Sequence, residues 1–249
     1  MGDTFFEIIG LEKSFRGLKA TNNVSLSIKK GEVCSIIGPN GAGKTTLFNL
    51  ITGLIKPDAG KIYFMGKDIT GHSPVDIVHA GIARSFQIVN NFPRFTVYDN
   101  IMIAALGYKK LAMKMFTPAK GIAKNEIMEL IDRIGLAKEA HSLAGELSHG
   151  DQKRLEVGIA LASHPSLLLL DEPTAGMSSD EKGGILETIK RVMKESDCTV
   201  FLCEHDMKVI FSVSDTIWVL HNGAVVTSGT VDEIRNNSLV KEIYLGEAE

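Results

Sequence analysis

The sequence is poor in cysteine, and its cysteines show no pairing pattern. Three are present, Cys34, Cys198 and Cys203, with no Cys-x-x-Cys spacing. An odd number of cysteines in apolar, strand-like stretches argues against a disulfide framework and against a zinc site. The pattern favours buried, reduced thiols, which is typical of proteins from a reducing compartment such as the cytosol.

Long apolar runs and a dominant charge are also missing. No stretch approaches the roughly 18 consecutive apolar residues of a membrane-spanning helix. The first six residues carry neither a cationic leader pattern nor the Ser or Thr that a myristoylation motif requires. We therefore expect any membrane association to come through a partner. With 27 Lys and Arg against 30 Asp and Glu, the net charge of −3 gives no reason to expect nucleic acid or anionic lipid.

The length and the order of apolar segments indicate one α/β core carrying a smaller subdomain. Residues 5–28 alternate between apolar and polar, with breaks at Arg16-Gly17 and Asn22-Asn23, which predicts antiparallel β-structure with turns. The continuous apolar run 33–37 predicts a strand buried on both faces, as in a parallel sheet. Helical spacing follows from Lys44 to Gly53.

The second half of the chain first turns helical and then returns to strands. Residues 97–163 have helix-forming sequence, and residues 127–134 place apolar side chains on one face. Strand-like runs follow at 167–170, 199–203 and 217–220. The last of these precedes Asn222-Gly223, a strong hairpin signal because both central positions of a type I′ turn need a positive φ.

A glycine-rich loop between the first buried strand and its helix predicts phosphate binding. It reads Gly-x-x-x-x-Gly-Lys-Thr, in which glycines let backbone N–H groups approach phosphate and the helix N-terminus favours anions. Lys44 is expected at the β- and γ-phosphates of ATP, Thr45 at Mg²⁺ and Thr46 at the α-phosphate. The predicted nucleotide-binding residues are Gly38, Pro39, Asn40, Gly41, Ala42, Gly43, Lys44, Thr45 and Thr46.

Acidic residues end the strand-like run 167–170, at the edge of the sheet where the phosphate loop is also expected. Asp171 is predicted to hold the Mg²⁺ shell, and Glu172 to orient or deprotonate the attacking water. His205 ends another apolar run. A histidine at a strand end is by itself more often structural, but its position beside the loop and the acid pair favours a role in the site.

The segment Leu147-Ser148-His149-Gly150-Asp151 resembles the signature sequence of the ABC transporter ATP-binding subunits, and the resemblance spans nearly the whole chain. By itself, Ser148 is an N-cap residue before an amphipathic helix at 152–162. A Ser-x-Gly turn that opens a helix also exposes N–H groups and a hydroxyl that can bind phosphate.

The resemblance implies further roles. Phe15 resembles the aromatic that stacks on adenine, although aromatics in strands are usually core residues. Gln87 resembles the glutamine that links the γ-phosphate and the metal to the transmembrane partner, and His205 the switch histidine at the γ-phosphate. In the family, two subunits pair head to tail, so that Ser148 and Gly150 of one close over the ATP of the other.

The resemblance also implies the architecture and the partners. It implies a P-loop NTPase core with a mostly parallel sheet and an N-terminal antiparallel β-subdomain, formed by residues 1–90 and 164–249. Residues of about 91–163 would form an inserted helical subdomain. The expected partners are a second ATPase subunit of the same or a related chain, two permease subunits that contact residues 90–95, and indirectly a periplasmic-type substrate-binding protein. The expected location is peripheral, on the cytoplasmic face of the inner membrane.

Segments 151–156, 172–177, 204–207 and 244–247 are similar to those of importers of branched-chain and other hydrophobic amino acids. Uptake of urea or short amides and export of lipid or lipopolysaccharide remain alternatives. A soluble ABC ATPase acting on nucleic acid or ribosomes is a further one, although its usual second nucleotide-binding half, coiled-coil insertion or basic arm is not found in this sequence.

The sequence departs from the family pattern at three positions. His149 and Asp151 replace the Gly and Gln of the general signature, and Ser178 stands where an interface aspartate is frequent. The assignments of Ser148 and Gly150 do not depend on these positions, whereas Ser178 lacks the carboxylate that the interface aspartate would supply.

Overall fold

The computed structural model describes residues 4–85, 91–108 and 124–245. The chain divides into two compact units, Met1–Ile77 with Thr199–Glu249 and Val78–Cys198. The predicted helical subdomain falls within the second unit. None of the helices in the described ranges is both long enough and apolar enough to cross a bilayer.

The first unit contains an antiparallel sheet, as the alternating N-terminal pattern predicts. Arg16 and Gly17 form the turn between its first two strands, with φ of 48° and 88°. The prediction of a second turn, at Asn22-Asn23, is wrong. Both residues lie inside a strand, where Asn23 has a φ of 55° and the pairing register shifts, so a β-bulge takes up the break. The strands are β1 (Thr4–Phe15), β2 (Leu18–Lys29), β4 (Ala59–Phe64) and β5 (Lys67–Asp68), in the order β2-β1-β4-β5.

The first unit also contains the strands that carry the phosphate loop. The central strand is buried on both faces and pairs in parallel with two neighbours, as predicted. Asn222 and Gly223 form the predicted hairpin turn, with φ of 48° and 76°. The strands are β3 (Val33–Ile37), β8 (Thr199–Cys203), β9 (Thr216–His221) and β10 (Ala224–Gly229), in the order β10-β9-β3-β8.

Short helices accompany these strands. The helix after the phosphate loop begins at Lys44 as predicted and ends at Ile51, two residues before the left-handed Gly53. The helices are α1 (Lys44–Ile51), α2 (Pro74–Ala80), which crosses the boundary of the units, α7 (Met207–Val213), α8 (Val231–Asn236) and α9 (Ser238–Leu245).

In its described residues, the second unit is mostly helical and contains one pair of parallel strands. Ile127, Ile131 and Ile134 are buried, which confirms the apolar face expected from their spacing. The strands are β6 (Ile82–Ser85) and β7 (Leu167–Asp171), and the helices are α3 (Val97–Tyr108), α4 (Lys124–Arg133), α5 (His149–Leu161) and α6 (Ser179–Glu195), with a 3₁₀ turn at Ala144–Glu146.

The three cysteines are buried and free of disulfides, as expected from the sequence. Burial raises the pKa of the Cys198 thiol to about 12. It also raises the pKa of Cys34 well above its ordinary value, and the nearby Glu32 carboxylate adds to the effect. These two thiols therefore stay protonated at neutral pH.

Two adjacent glycines in α6 have different surroundings. A Cβ added at Gly183 would meet nothing within 4 Å, whereas one added at Gly184 would lie 1.7 Å from Arg154 Nη2 and 2.8 Å from its Cζ. The guanidinium of Arg154, which also donates to Asp151 Oδ1 at 3.2 Å, thus lies directly over the Gly184 backbone. Gly184 makes this close approach possible.

We expect Gly183→Ala to stabilise the protein by about 1 kcal/mol, because alanine is the better helix former. Gly184→Ala brings the same gain in helix propensity but must move the flexible Arg154 guanidinium, so we expect it to stabilise the protein less than Gly183→Ala does. Urea unfolding of both variants measures the difference. Equal stabilisation by the two substitutions would show that Arg154 does not depend on this glycine.

Candidate functional site

The backbone of the predicted phosphate loop leaves no space for side chains at two of its glycines. A Cβ at Gly38 would lie 2.1 Å from the Leu220 carbonyl oxygen, and one at Gly43 would lie 2.2 Å from the Ala20 carbonyl oxygen. Gly43 also has a φ of 102°, which favours glycine. The loop therefore packs directly on the backbone of β9 and β2, and its conformation requires glycine at Gly38 and Gly43.

Lys44 turns its side chain into the loop. Lys44 is only 6% exposed. Its amine donates to the carbonyl oxygens of Gly38 and of Pro39, the latter at 2.9 Å. Thr45 and Asn40, in contrast, are exposed. The amine thus lies in the centre of the loop, bound to backbone oxygens that a phosphate group can replace as its partner.

His205 lies beside this loop, as its position at a strand end predicts. Because β3 and β8 are parallel, their carboxyl ends meet at one edge of the sheet, where the loop follows β3 and Glu204-His205 follows β8. A cavity of about 170 Å³ is lined by Gly38, Pro39, Asn40, His205 and Tyr244. Tyr244 comes from α9 and was not among the predicted site residues.

Phe15 ends β1 and is 46% exposed, so it is not the core residue that an aromatic in a strand usually is. The amine of Lys13 lies 5.7 Å from the centre of its ring. An exposed aromatic face beside a cation remains available to stack with a planar ring.

Asp171 ends β7 in the second unit, and its carboxylate is buried. Oδ2 accepts a hydrogen bond from Arg84 Nη2 at 2.5 Å, and the two side chains are 1% and 6% exposed. Oδ1 is also buried but has no hydrogen-bond partner among the described residues. Arg84 therefore binds one oxygen of this carboxylate, Oδ2, while the other oxygen, Oδ1, can bind a cation.

Glu172 follows Asp171 with a φ of 50°, an uncommon conformation for a residue with a side chain. Its carbonyl accepts a hydrogen bond from the Ala175 N–H at 3.1 Å, which closes the turn after β7. Unusual backbone conformations of this kind concentrate at functional sites, because the surrounding structure has to hold them in place.

Ser148 is the N-cap of α5, as predicted, and the helix begins at His149 instead of 152. Its hydroxyl oxygen accepts from the Asp151 N–H at 3.2 Å, and the hydroxyl donates to Asp151 Oδ2 at 2.8 Å. The ring of His149 contacts the Ala175 carbonyl oxygen through Nε2 at 3.2 Å. Gly150 is buried at the same turn, next to Glu181.

The loop predicted to face the permease is described from Asn91 onward. Phe92, Arg94 and Phe95 are exposed, and the two aromatic rings pack edge to face with centres 5.8 Å apart. The Asn100 amide pairs with the Phe92 backbone and thereby holds the loop. Gln87, the predicted γ-phosphate and metal ligand, lies outside the described residues.

Sequence reasoning missed Arg84, Glu181 and Tyr244. An arginine in the short strand before Gln87 gives a weak signal, since strands of this kind rarely bury a charge without a partner. Glu181 stands three residues after Ser178, which is the spacing of a helix capping box. Tyr244 begins segment 244–247, which is similar to that of the amino-acid importers, but nothing in this segment marks the tyrosine as a site residue.

Known proteins of similar sequence and structure are ATP-binding subunits. The ABC transporter family model matches residues 21–175. The chain is 39% identical to the high-affinity branched-chain amino acid transport ATP-binding protein LivG of Salmonella typhimurium, with both chains covered completely. A solved ATP-binding cassette of an ABC transporter in its ADP conformation superposes with a TM-score of 0.86 at 31% identity, over 98% of this chain and 99% of the other.

A second solved structure, a dimeric ATP-binding cassette in a post-hydrolysis state bound to ADP and Pi, matches with a TM-score of 0.75 at 26% identity. It covers 91% of this chain and 98% of the other. These matches confirm the predicted fold class and the prediction of an ATP-binding and ATP-hydrolysing subunit. By sequence and by fold, the chain belongs to the ABC transporter family of ATP-binding subunits.

Proposed function

We propose that this chain hydrolyses ATP to energise the uptake of branched-chain or other hydrophobic amino acids through two separate permease subunits. The observation that carries the proposal is the 39% identity, over the full length of both chains, to an ATP-binding protein of branched-chain amino acid transport. In such a system the chain lies peripherally on the cytoplasmic face of the membrane, and a substrate-binding protein acts on the permeases.

The phosphate loop and Lys44 supply nucleotide binding in this proposal. The loop presents backbone N–H groups at the start of α1, and the Lys44 amine exchanges the carbonyls of Gly38 and Pro39 for the β- and γ-phosphates. Phe15 offers its exposed ring to the adenine, and His205 its imidazole to the γ-phosphate.

We propose Asp171 and Thr45 as ligands of a magnesium ion. Asp171 Oδ1, which has no hydrogen-bond partner in the described part of the chain, and the Thr45 hydroxyl oxygen are ligands of the type that Mg²⁺ prefers together with phosphate oxygens. The bound ion would neutralise charge on the phosphates. Arg84 acts as a positioning residue, because its contact with Oδ2 fixes the direction of Oδ1. Gln87 is proposed as a further ligand.

Glu172 is the proposed general base, and Ser148 and Gly150 complete the site of a second subunit in a head-to-tail dimer. ATP then holds two surfaces together, and its hydrolysis removes the contacts that favour the closed dimer. The solved dimeric cassette supports this assembly as a property of a related protein.

The transport function is tested by reconstituting the chain with its permeases and binding protein in vesicles. ATP hydrolysis should rise when a branched-chain amino acid is supplied, and Lys44→Ala should abolish the rise because a phosphate counter-charge is lost. Stimulation by lipid or urea in place of amino acids would contradict the proposed substrate class.

Glu172→Gln should retain ATP binding and form an ATP-dependent dimer, while turnover falls about 10²- to 10⁴-fold, the usual contribution of a general base. Steady-state phosphate release and light scattering measure the two effects. Glu187→Gln, an exposed change of the same type on α6, is the control. Parental turnover in Glu172→Gln would show that Glu172 is not the base.

Head-to-tail pairing predicts complementation between Lys44→Ala and Ser148→Ala. Each variant alone lacks an intact site, but a mixed dimer combines the phosphate loop of one subunit with the signature turn of the other. Mixing two weakly active preparations should therefore restore ATP hydrolysis. A mixture no more active than the average of its components would contradict the dimer.

Arg84→Met should destabilise the protein by about 3–5 kcal/mol, because it leaves the buried Asp171 carboxylate without its cation. Urea unfolding measures the loss. Lys61→Met, which breaks the exposed pair with Asp68, is the matched control and should cost less than about 1 kcal/mol. Similar losses in the two variants would show that the Arg84–Asp171 pair is not effectively buried.

A further inference from the structure

Carboxylates of the same subunit lie against the two groups of the signature turn that are proposed to bind phosphate. The groups are the Ser148 hydroxyl and the Gly150 N–H, which the proposed function assigns to the nucleotide of the partner subunit. In this structure the Asp151 carboxylate accepts a hydrogen bond from the Ser148 hydroxyl, and the Glu181 side chain lies in contact with Gly150. Both acceptors are carboxylates, and carboxylates are the side chains most similar to phosphate in charge and hydrogen bonding.

Glu181 is held in place by the start of α6. Its Oε2 accepts from the Ser178 N–H at 2.9 Å and from the Ser178 hydroxyl at 2.8 Å, as part of a capping box. A Cβ at Gly150 would lie 3.5 Å from Glu181 Cβ and Cγ and 3.6 Å from its Oε1, so the two residues are in contact. The carboxylate therefore bridges the signature turn and the loop that follows Glu172.

The hydrogen bonds that Glu181 accepts keep it ionised. Its pKa lies below the ordinary value, first because the Ser178 N–H and hydroxyl donate to the carboxylate, and further because the Gly150 N–H and the nearby His149 favour the charged form. An anion is thus present at the signature turn throughout the neutral pH range.

The Asp151 carboxylate is held in place by Arg154. Its Oδ1 accepts from Arg154 Nη1 at 3.2 Å, and Arg154 in turn lies over Gly184 of α6. Its Oδ2 accepts from the Ser148 hydroxyl at 2.8 Å. Asp151, which replaces the glutamine of the general signature, therefore places a carboxylate in direct contact with Ser148.

We propose that Glu181 and Asp151 compete with the partner's γ-phosphate for the donors of the signature turn, and so weaken the ATP-dependent closure of the dimer. The inference rests on the head-to-tail dimer of the proposed function. Closure requires the phosphate to displace the two carboxylates from Gly150 and Ser148, against the repulsion between like charges. The released Glu181 still caps α6 through Ser178.

The test compares two capping boxes of the same chemistry. Glu233 caps α8 by accepting from the Thr230 N–H at 2.7 Å and from its hydroxyl at 3.0 Å, far along the chain from any signature residue. Glu181→Gln and Glu233→Gln therefore remove the same charge from the same kind of helix start. Only the first variant changes a group that contacts Gly150.

The measurement is the ATP concentration at half-maximal dimer formation, determined by sedimentation in the Glu172→Gln background. Glu181→Gln should lower this concentration by about 3- to 10-fold, because a charged competitor becomes a weaker neutral one. Asp151→Asn should shift it in the same direction, and Glu233→Gln should leave it unchanged. Gln and Asn preserve the size of the side chains, so each variant can be checked for folding by its thermal unfolding.

The outcomes separate this inference from the proposed function. If the Glu172→Gln protein without a further substitution forms no dimer with ATP, the head-to-tail assembly is overturned, and this inference with it. A parent that dimerises normally, while Glu181→Gln shows no shift or requires more ATP, would overturn the inference alone. An equal shift in Glu233→Gln would likewise assign the effect to helix capping and overturn the competition.

Discussion

The structure of the site depends on the close approach of backbone to backbone around the phosphate loop. Gly38 and Gly43 lie so near the carbonyls of Leu220 and Ala20 that no side chain fits at either position. This approach connects the loop with β9, with β2 and with the hairpin at Gly223, whose N–H donates to the Ala42 carbonyl at 3.0 Å. The N–H groups that are proposed to bind phosphate are thereby held in position by the protein itself, which would limit the ordering cost of binding.

Charge is arranged differently in the two units. In the first, the Lys44 amine is bound to neutral carbonyls, which can give way to phosphate without leaving a buried charge unpaired. In the second, the buried Asp171 carboxylate is held by Arg84, and the carboxylates of Asp151 and Glu181 lie against the signature turn. The groups that are proposed to bind the cation and the phosphates thus already have hydrogen bonds within the protein.

The sequence was informative wherever the cause of a conformation is local. The strand, loop and helix around Lys44, the Asn222-Gly223 hairpin and the Ser148 cap each follow from a few neighbouring residues. The bulge at Asn23 was missed because a left-handed asparagine fits a turn and a bulge equally well. The Arg84–Asp171 pair joins residues 87 positions apart, and the contact of Gly150 with Glu181 depends on how α5 packs on α6. Such pairings arise from tertiary packing, which local patterns do not encode.

The burial of the cysteines has a practical consequence for anyone who wishes to follow this protein in motion. Alkylating reagents attack the thiolate at accessible positions, and neither condition is met at Cys34 or Cys198, whose pKa values are raised and whose side chains are covered; Cys203 is fully buried as well. The native chain therefore behaves towards maleimide dyes as if it contained no cysteine. A single cysteine introduced on an exposed helix face would carry a fluorophore at one defined place, with the original three residues left untouched.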